Sequence, residues 1–214
     1  MATFNVLDTA EDVAAAAASE IAETLRDGAR TLVLAGGTTP RRCYELLSHL
    51  EVEWGRVCVL FGDERCVHPD HPESNYRMAR EALLDRVSPA TVHRMPAELG
   101  PDEAAGVYAH LVAAVAPLDI VLLGVGEDGH TASLFPGHAA LFASALAVGV
   151  RDAPKPPPQR VTLTLPALRA ARRVIILATG AGKAEAVRLA KQGAVPSGMI
   201  DGARWLIDRP AAGQ

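Results

Sequence analysis

Short runs of aliphatic and β-branched residues alternate along this chain with longer Ala-rich stretches of helical character. The apolar runs predict strands at residues 31–34, 57–61, 120–123, 146–150, 161–165, 174–178 and 205–207. The stretches between them predict helices near 10–26, 40–50, 74–84, 102–115 and 183–191. Several strands are continuously apolar, as in Ile120-Val121-Leu122-Leu123. Such a strand is buried on both faces, which implies a mostly parallel sheet with helices on each side. No internal repeat interrupts the pattern. The one linker-like stretch, Pro154-Lys155-Pro156-Pro157-Pro158, is too short to separate domains and reads as a stiff surface loop. Residues 1–214 therefore read as one domain.

A length of 214 residues suits one α/β domain, or one domain with a small lobe, with a full core. Aromatic residues make up only 4%, so Ala, Val and Leu must fill that core. The net charge of -4 argues against nucleic acid, which asks for a basic face. Any anion site must come from a few placed residues and helix N-termini. Cys43, Cys58 and Cys66 are odd in number and lack CxxC spacing, so neither a disulfide framework nor a zinc site is expected. Cys66 reads as a small filler. A reducing cytoplasm fits that usage. The Ala-rich run at 14–18 follows Asp8, Glu11 and Asp12 and precedes Glu20 and Glu23. Acids in those places oppose a signal peptide and favour an amphipathic helix. No apolar run approaches the length of a membrane span.

Ligands of an open parallel sheet bind at the carboxyl ends of its strands, and four predicted strand ends carry unusual chemistry. After the first comes Ala35-Gly36-Gly37-Thr38-Thr39-Pro40. Two glycines free the backbone to turn its N–H groups toward a ligand, and a helix N-terminus favours phosphate. A tight turn with Thr39 as N-cap is the plain alternative. After the second comes Gly62-Asp63-Glu64-Arg65-Cys66-Val67-His68-Pro69, which is either a solvated ion cluster or an anion site built on the Arg65 fork. His68 and His71 flank Asp70, but Pro69 and Pro72 spoil a regular metal-ligand face.

The third strand runs into Gly124-Val125-Gly126-Glu127-Asp128-Gly129-His130. Gly124, Gly126 and Gly129 satisfy the dinucleotide fingerprint, and Asp152 lies near the place of its ribose-binding acid. Glu127 and Asp128 would put negative charge on the pyrophosphate, and Pro136 and Gly137 would break the crossover helix. The same loop serves better as a catalytic turn presenting Asp128 and His130, a histidine that titrates near neutral pH. The fourth end, Thr179-Gly180-Ala181-Gly182-Lys183-Ala184, echoes a P-loop. Leu177 replaces its first glycine and Ala184 its magnesium-binding hydroxyl, leaving a lysine suited to one phosphate.

Together with Ser74-Asn75-Tyr76, Ser133-Leu134-Phe135-Pro136 and Arg160-Val161-Thr162-Leu163-Thr164, these segments resemble the 6-phosphogluconolactonase family in content and order, over about residues 31–208. The resemblance implies an α/β/α sandwich of Rossmann type with a mostly parallel sheet, as in glucosamine-6-phosphate deaminases. It implies hydrolysis of 6-phospho-D-glucono-1,5-lactone in the oxidative pentose phosphate pathway, with His130 as general base and Asp128 supporting it. Gly36, Gly37, Thr38, Thr39, Arg65 and Lys183 would hold the phosphate. Asp63 and Asn75 would bind or support the sugar, and Arg160 would be a further cation. No metal or organic cofactor is implied. The partner would be the phosphorylated sugar lactone, with no membrane and no nucleic acid, and the protein would be a monomer or small homo-oligomer. Ala35 departs from the serine many relatives carry. Two rivals are a deaminating or isomerising enzyme of the same fold and a non-catalytic sugar-phosphate sensor. Deaminases place a glutamate five residues after the histidine, where this chain has Phe135.

Overall fold

The computed structural model describes residues 2–214. Ten strands and six α-helices follow one another as β1 (Thr3–Leu7), α1 (Ala10–Arg26), β2 (Thr31–Leu34), α2 (Thr38–Leu47), β3 (Cys58–Phe61), β4 (Asp63–Arg65), α3 (Asn75–Ala79), β5 (Thr91–Val92), α4 (Pro101–Val115), β6 (Ile120–Gly124), β7 (Ala147–Val150), β8 (Arg160–Leu163), α5 (Leu165–Arg169), β9 (Arg173–Ala178), α6 (Ala184–Ala190) and β10 (Arg204–Asp208). Seven strands form one parallel sheet in the order β1-β10-β9-β6-β2-β3-β5. The continuously apolar β2 and β6 are its centre, and their aliphatic side chains are fully buried on both faces. Helices flank it. In α1 the Thr9 and Asp12 side chains cap each other's backbone, and Val13, Ala14, Ala17, Ala18 and Ile21 form its buried stripe.

The two strands predicted at 146–150 and 161–165 lie outside that sheet. They pair antiparallel as β7 and β8, and β4 completes a second, three-stranded sheet from residues that read as loop in the sequence. The reason is connection length. Residues 151–159 between β7 and β8 contain no helix, whereas parallel neighbours need a crossover of a dozen or more residues, so the pair closes as a hairpin. Pro166 falls in the first turn of α5 and ends β8 earlier than predicted. Edge strands β1 and β5, largely exposed, were not legible as apolar runs. Among the described residues no helix is long and apolar enough to cross a membrane.

The strand order positions the site. The four motif-bearing strands, β9, β6, β2 and β3, are consecutive in the sheet, so their carboxyl ends and the loops that follow lie side by side. The chain steps from β2 to β3 in one direction and from β6 to β9 and β10 in the other. The switch point falls between β2 and β6, where open α/β sheets bind ligands.

Candidate active site

Beyond β6 no crossover helix forms, and the chain makes a tight turn instead. Gly126 N–H donates to the His130 carbonyl at 2.9 Å, and Gly129 N–H to that of Gly126 at 3.0 Å. Gly129 has a φ of 81°, a conformation open to glycine at little cost. Gly126 is needed for space: a Cβ there would lie 2.0 Å from His130 Nδ1 and 2.6 Å from Asp128 Oδ1. With that space free, Nδ1 pairs with Asp128 Oδ1 at 2.5 Å. The imidazole packs on Phe135, ring centroids 4.5 Å apart. Among the described residues Nε2 has no hydrogen-bond partner. Burial, the strongest influence on His130, lowers its pKa and outweighs the opposing pull of Asp128. Burial also works to raise Asp128, but the hydrogen bond and charge of His130 prevail and its carboxyl lies below the ordinary range. The pair is therefore a neutral imidazole on a carboxylate, with Nδ1–H donating and the Nε2 lone pair left over.

A second cluster fixes the β4 end. Buried Asp63 accepts from Ser133 Oγ at 2.6 Å and from Asn75 Nδ2 at 3.1 Å, and Asn75 Nδ2 also donates to the Asp63 carbonyl at 2.9 Å. Neighbouring Glu64 faces protein. It accepts from the N–H groups of Asn75 and Tyr76, each at 2.7 Å, of Arg65 at 2.8 Å, and from Ser74 Oγ at 3.0 Å. Burial pushes its carboxyl up despite those bonds. It ties the start of α3 to β4 and so places Asn75.

These groups open on a cleft of about 210 Å³ lined by Gly36, Gly37, Asp63, Arg65, Asn75, Gly126, His130, Ala132, Lys155, Arg160 and Lys183, among others. Ala132 is the one non-glycine residue with positive φ, at 49°, among the described residues. Adjoining it is a compartment of about 150 Å³ lined by Gly36, Gly37, Thr38, Thr39, Pro40, Thr179 and Lys183, among others. There α2 begins earlier than predicted, with Gly37 at the N-cap and no side chain capping it. Its first N–H groups are left for a ligand, and the dipole favours an anion. Thr39 is not the cap; its hydroxyl bonds that of Thr179 at 2.7 Å. Burial lowers the pKa of Lys183. The loop carrying Lys183 is held by buried Asp208, whose carboxylate accepts from Gly180 N–H at 2.9 Å.

Of the residues singled out in the sequence, Gly36, Gly37, Asp63, Arg65, Asn75, His130, Arg160 and Lys183 line the cleft, Thr38 and Thr39 the adjoining compartment, and Asp128 sits behind His130. Arg160 is only 4% exposed, and its Nε and Nη2 donate to backbone carbonyls of the proline-rich loop. Sequence reasoning missed Lys155, whose only signal was its place in that loop, and the supporting roles of Ser133 and Asp208. His68 and His71 are exposed and each accepts a backbone N–H two residues on. No group of three or more His, Cys, Asp or Glu side chains able to hold a metal occurs among the described residues.

An open parallel α/β sheet with an uncapped helix N-terminus and a lysine beside a histidine–aspartate pair defines a class of small-ligand proteins working at the switch point. Within that class the chain belongs to the family described as "Glucosamine-6-phosphate isomerases/6-phosphogluconolactonase", whose profile matches residues 7–207. A 6-phosphogluconolactonase from Mycobacterium leprae is 37% identical, covering 99% of this chain and 97% of the relative. The crystal structure of 6-phosphogluconolactonase from Thermotoga maritima superposes with a TM-score of 0.90 at 26% identity, covering 98% of this chain and 100% of that one. A monomeric glucosamine-6-phosphate deaminase shares the fold, with a TM-score of 0.85 at 22% identity over 99% of each chain.

Proposed function

We propose that this protein hydrolyses 6-phospho-D-glucono-1,5-lactone to 6-phosphogluconate, with His130 as the general base. One observation carries the mechanism: the neutral His130 ring is held by Asp128 at 2.5 Å with Nε2 unpaired, in a cleft that adjoins an anion compartment. The N-terminus of α2, the Thr39 hydroxyl and Lys183 hold the phosphate, which fixes the lactone carbonyl beside the base. Asp63 and Asn75 face the sugar from the β4 side, and Arg65, expected at the phosphate, is assigned there too because it lines the cleft and not the compartment at the start of α2. As the water oxygen bonds to the carbonyl carbon, its proton passes to Nε2 and the carbonyl electron pair moves onto oxygen. Asp128 stabilises the imidazolium so formed. Collapse of the oxyanion breaks the bond to the ring oxygen, which takes the proton back from Nε2, and the new carboxylic acid ionises in solvent.

The substrate's own electrophilic ester asks for no cofactor. Residues 1–214 act as one domain around this cleft, and the three free cysteines fit a reducing cytoplasm. Phe135, packed on His130 and 1% exposed, stands where ring-opening by a deaminase would use an ionisable acid. The test is a pair of assays on one preparation. Acid release from freshly made 6-phosphogluconolactone should run well above the spontaneous rate, and glucosamine 6-phosphate should yield no ammonia. Ammonia without lactone hydrolysis would make the protein a deaminase, and neither activity would make it a sensor.

A further inference from the structure

Hydrolysis by the route above passes through a tetrahedral oxyanion, and a buried site must meet that charge with a positioned donor or cation. Four cations line the cleft: Arg65, Lys155, Arg160 and Lys183. They differ in what already holds them. Lys183 alone also lines the compartment at the start of α2, which commits it to the phosphate. Arg160 spends its donors on protein: Nε on the Pro157 carbonyl at 3.0 Å, Nη2 on those of Lys155 at 3.0 Å and Pro156 at 3.2 Å, and Nη1 on Ser133 Oγ at 3.5 Å. Arg65 is anchored before α3 by a 2.5 Å bond from Nη1 to the Glu73 carbonyl; its Nε is buried without a partner, but that anchor fixes the guanidinium in the wall of the cleft.

Lys155 is uncommitted. Its ammonium has no ion-pair or hydrogen-bond partner among the described residues, yet it lines the same chamber as His130. Beyond the effects of burial and of the Asp128–His130 pairing, its positive charge lowers the pKa of both partners, which places it within electrostatic reach of the dyad. Its backbone is pinned. Arg160 grips three successive carbonyls of the loop, and Ala153 N–H closes its base on the Pro158 carbonyl at 2.9 Å. Prolines on either side restrict the rest. The exposed side chain is thus carried on a rigid mount. Arg160, in this arrangement, is a positioning residue for Lys155.

We propose that Lys155 is a further catalytic residue, whose ammonium meets the carbonyl oxygen as it becomes the oxyanion. The inference rests on the lactonase reading. Its test compares Lys155→Met and Lys155→Arg with the unmodified full chain, on 6-phosphogluconolactone and on unphosphorylated glucono-1,5-lactone. Lys155→Met should lower kcat about 10²-fold on both lactones, the loss seen when one oxyanion donor is removed, with KM for the phosphorylated lactone little changed. Lys155→Arg should recover part of the loss, because the charge is kept. An unaltered kcat in Lys155→Met would overturn the assignment. So would a loss confined to KM for the phosphorylated lactone, which would make Lys155 a phosphate ligand. If the unmodified chain accelerates neither lactone, the lactonase reading itself falls.

Discussion

His130 sits between two opposing influences. Burial favours the neutral ring, Asp128 favours the charged one, and burial prevails. A base must be neutral before it can act, so activity should be lost only as pH falls through a folded pKa that lies below the ordinary value of about 6.5. Asp128 is the main group that holds that pKa up, with a smaller pull from Asp63. Asp128→Asn should therefore move the acidic limb of the kcat profile to lower pH. The plateau should fall by roughly 10²-fold as the ring loses its orientation. A pH–kcat profile on both proteins checks the sign: a limb displaced to higher pH would contradict the assigned roles.

The element that presents this pair is the turn after β6, and its geometry depends on an absent side chain. A Cβ at Gly126 would occupy the place of the His130–Asp128 contact. Gly126→Ala should remain folded, since the core strands are untouched, while kcat falls about 10²-fold from displacement of the ring. Equal kcat in a folded Gly126→Ala protein would show that the pair is not the working unit. Legibility in the sequence follows the same division. Strands β2, β6 and β9 announce themselves because burial on both faces demands unbroken apolar runs. Edge strand β1 is read poorly because one side of it faces solvent. Strand β4 is polar because Asp63 and Glu64 bond to the start of α3 and the Ser133 loop, contacts that no local period encodes. Lys155 escaped notice for a related reason. Its loop reads as a surface linker until the β7–β8 hairpin and the Arg160 grip fold it over the cleft.

At the scale of the molecule, a chain of net charge -4 nonetheless builds a cationic pocket, because four neighbouring strands of one parallel sheet aim their loops at the same place. The exposed ion pairs elsewhere, such as Arg42–Glu11 and Arg188–Glu185, lie on the surface, where such pairs contribute little to stability. An uncapped helix N-terminus, a histidine that burial favours as the neutral ring and a lysine without a partner among the described residues meet at the switch point. The most direct measurement follows acid release from fresh 6-phosphogluconolactone, corrected for spontaneous opening, by the unmodified protein and by His130→Ala. Turnover far above the spontaneous rate is expected for the first, with kcat lower by roughly 10²–10⁴-fold for the second and affinity for 6-phosphogluconate little changed. A folded His130→Ala protein that turns over like the unmodified one, or an unmodified protein no faster than water, would contradict the account.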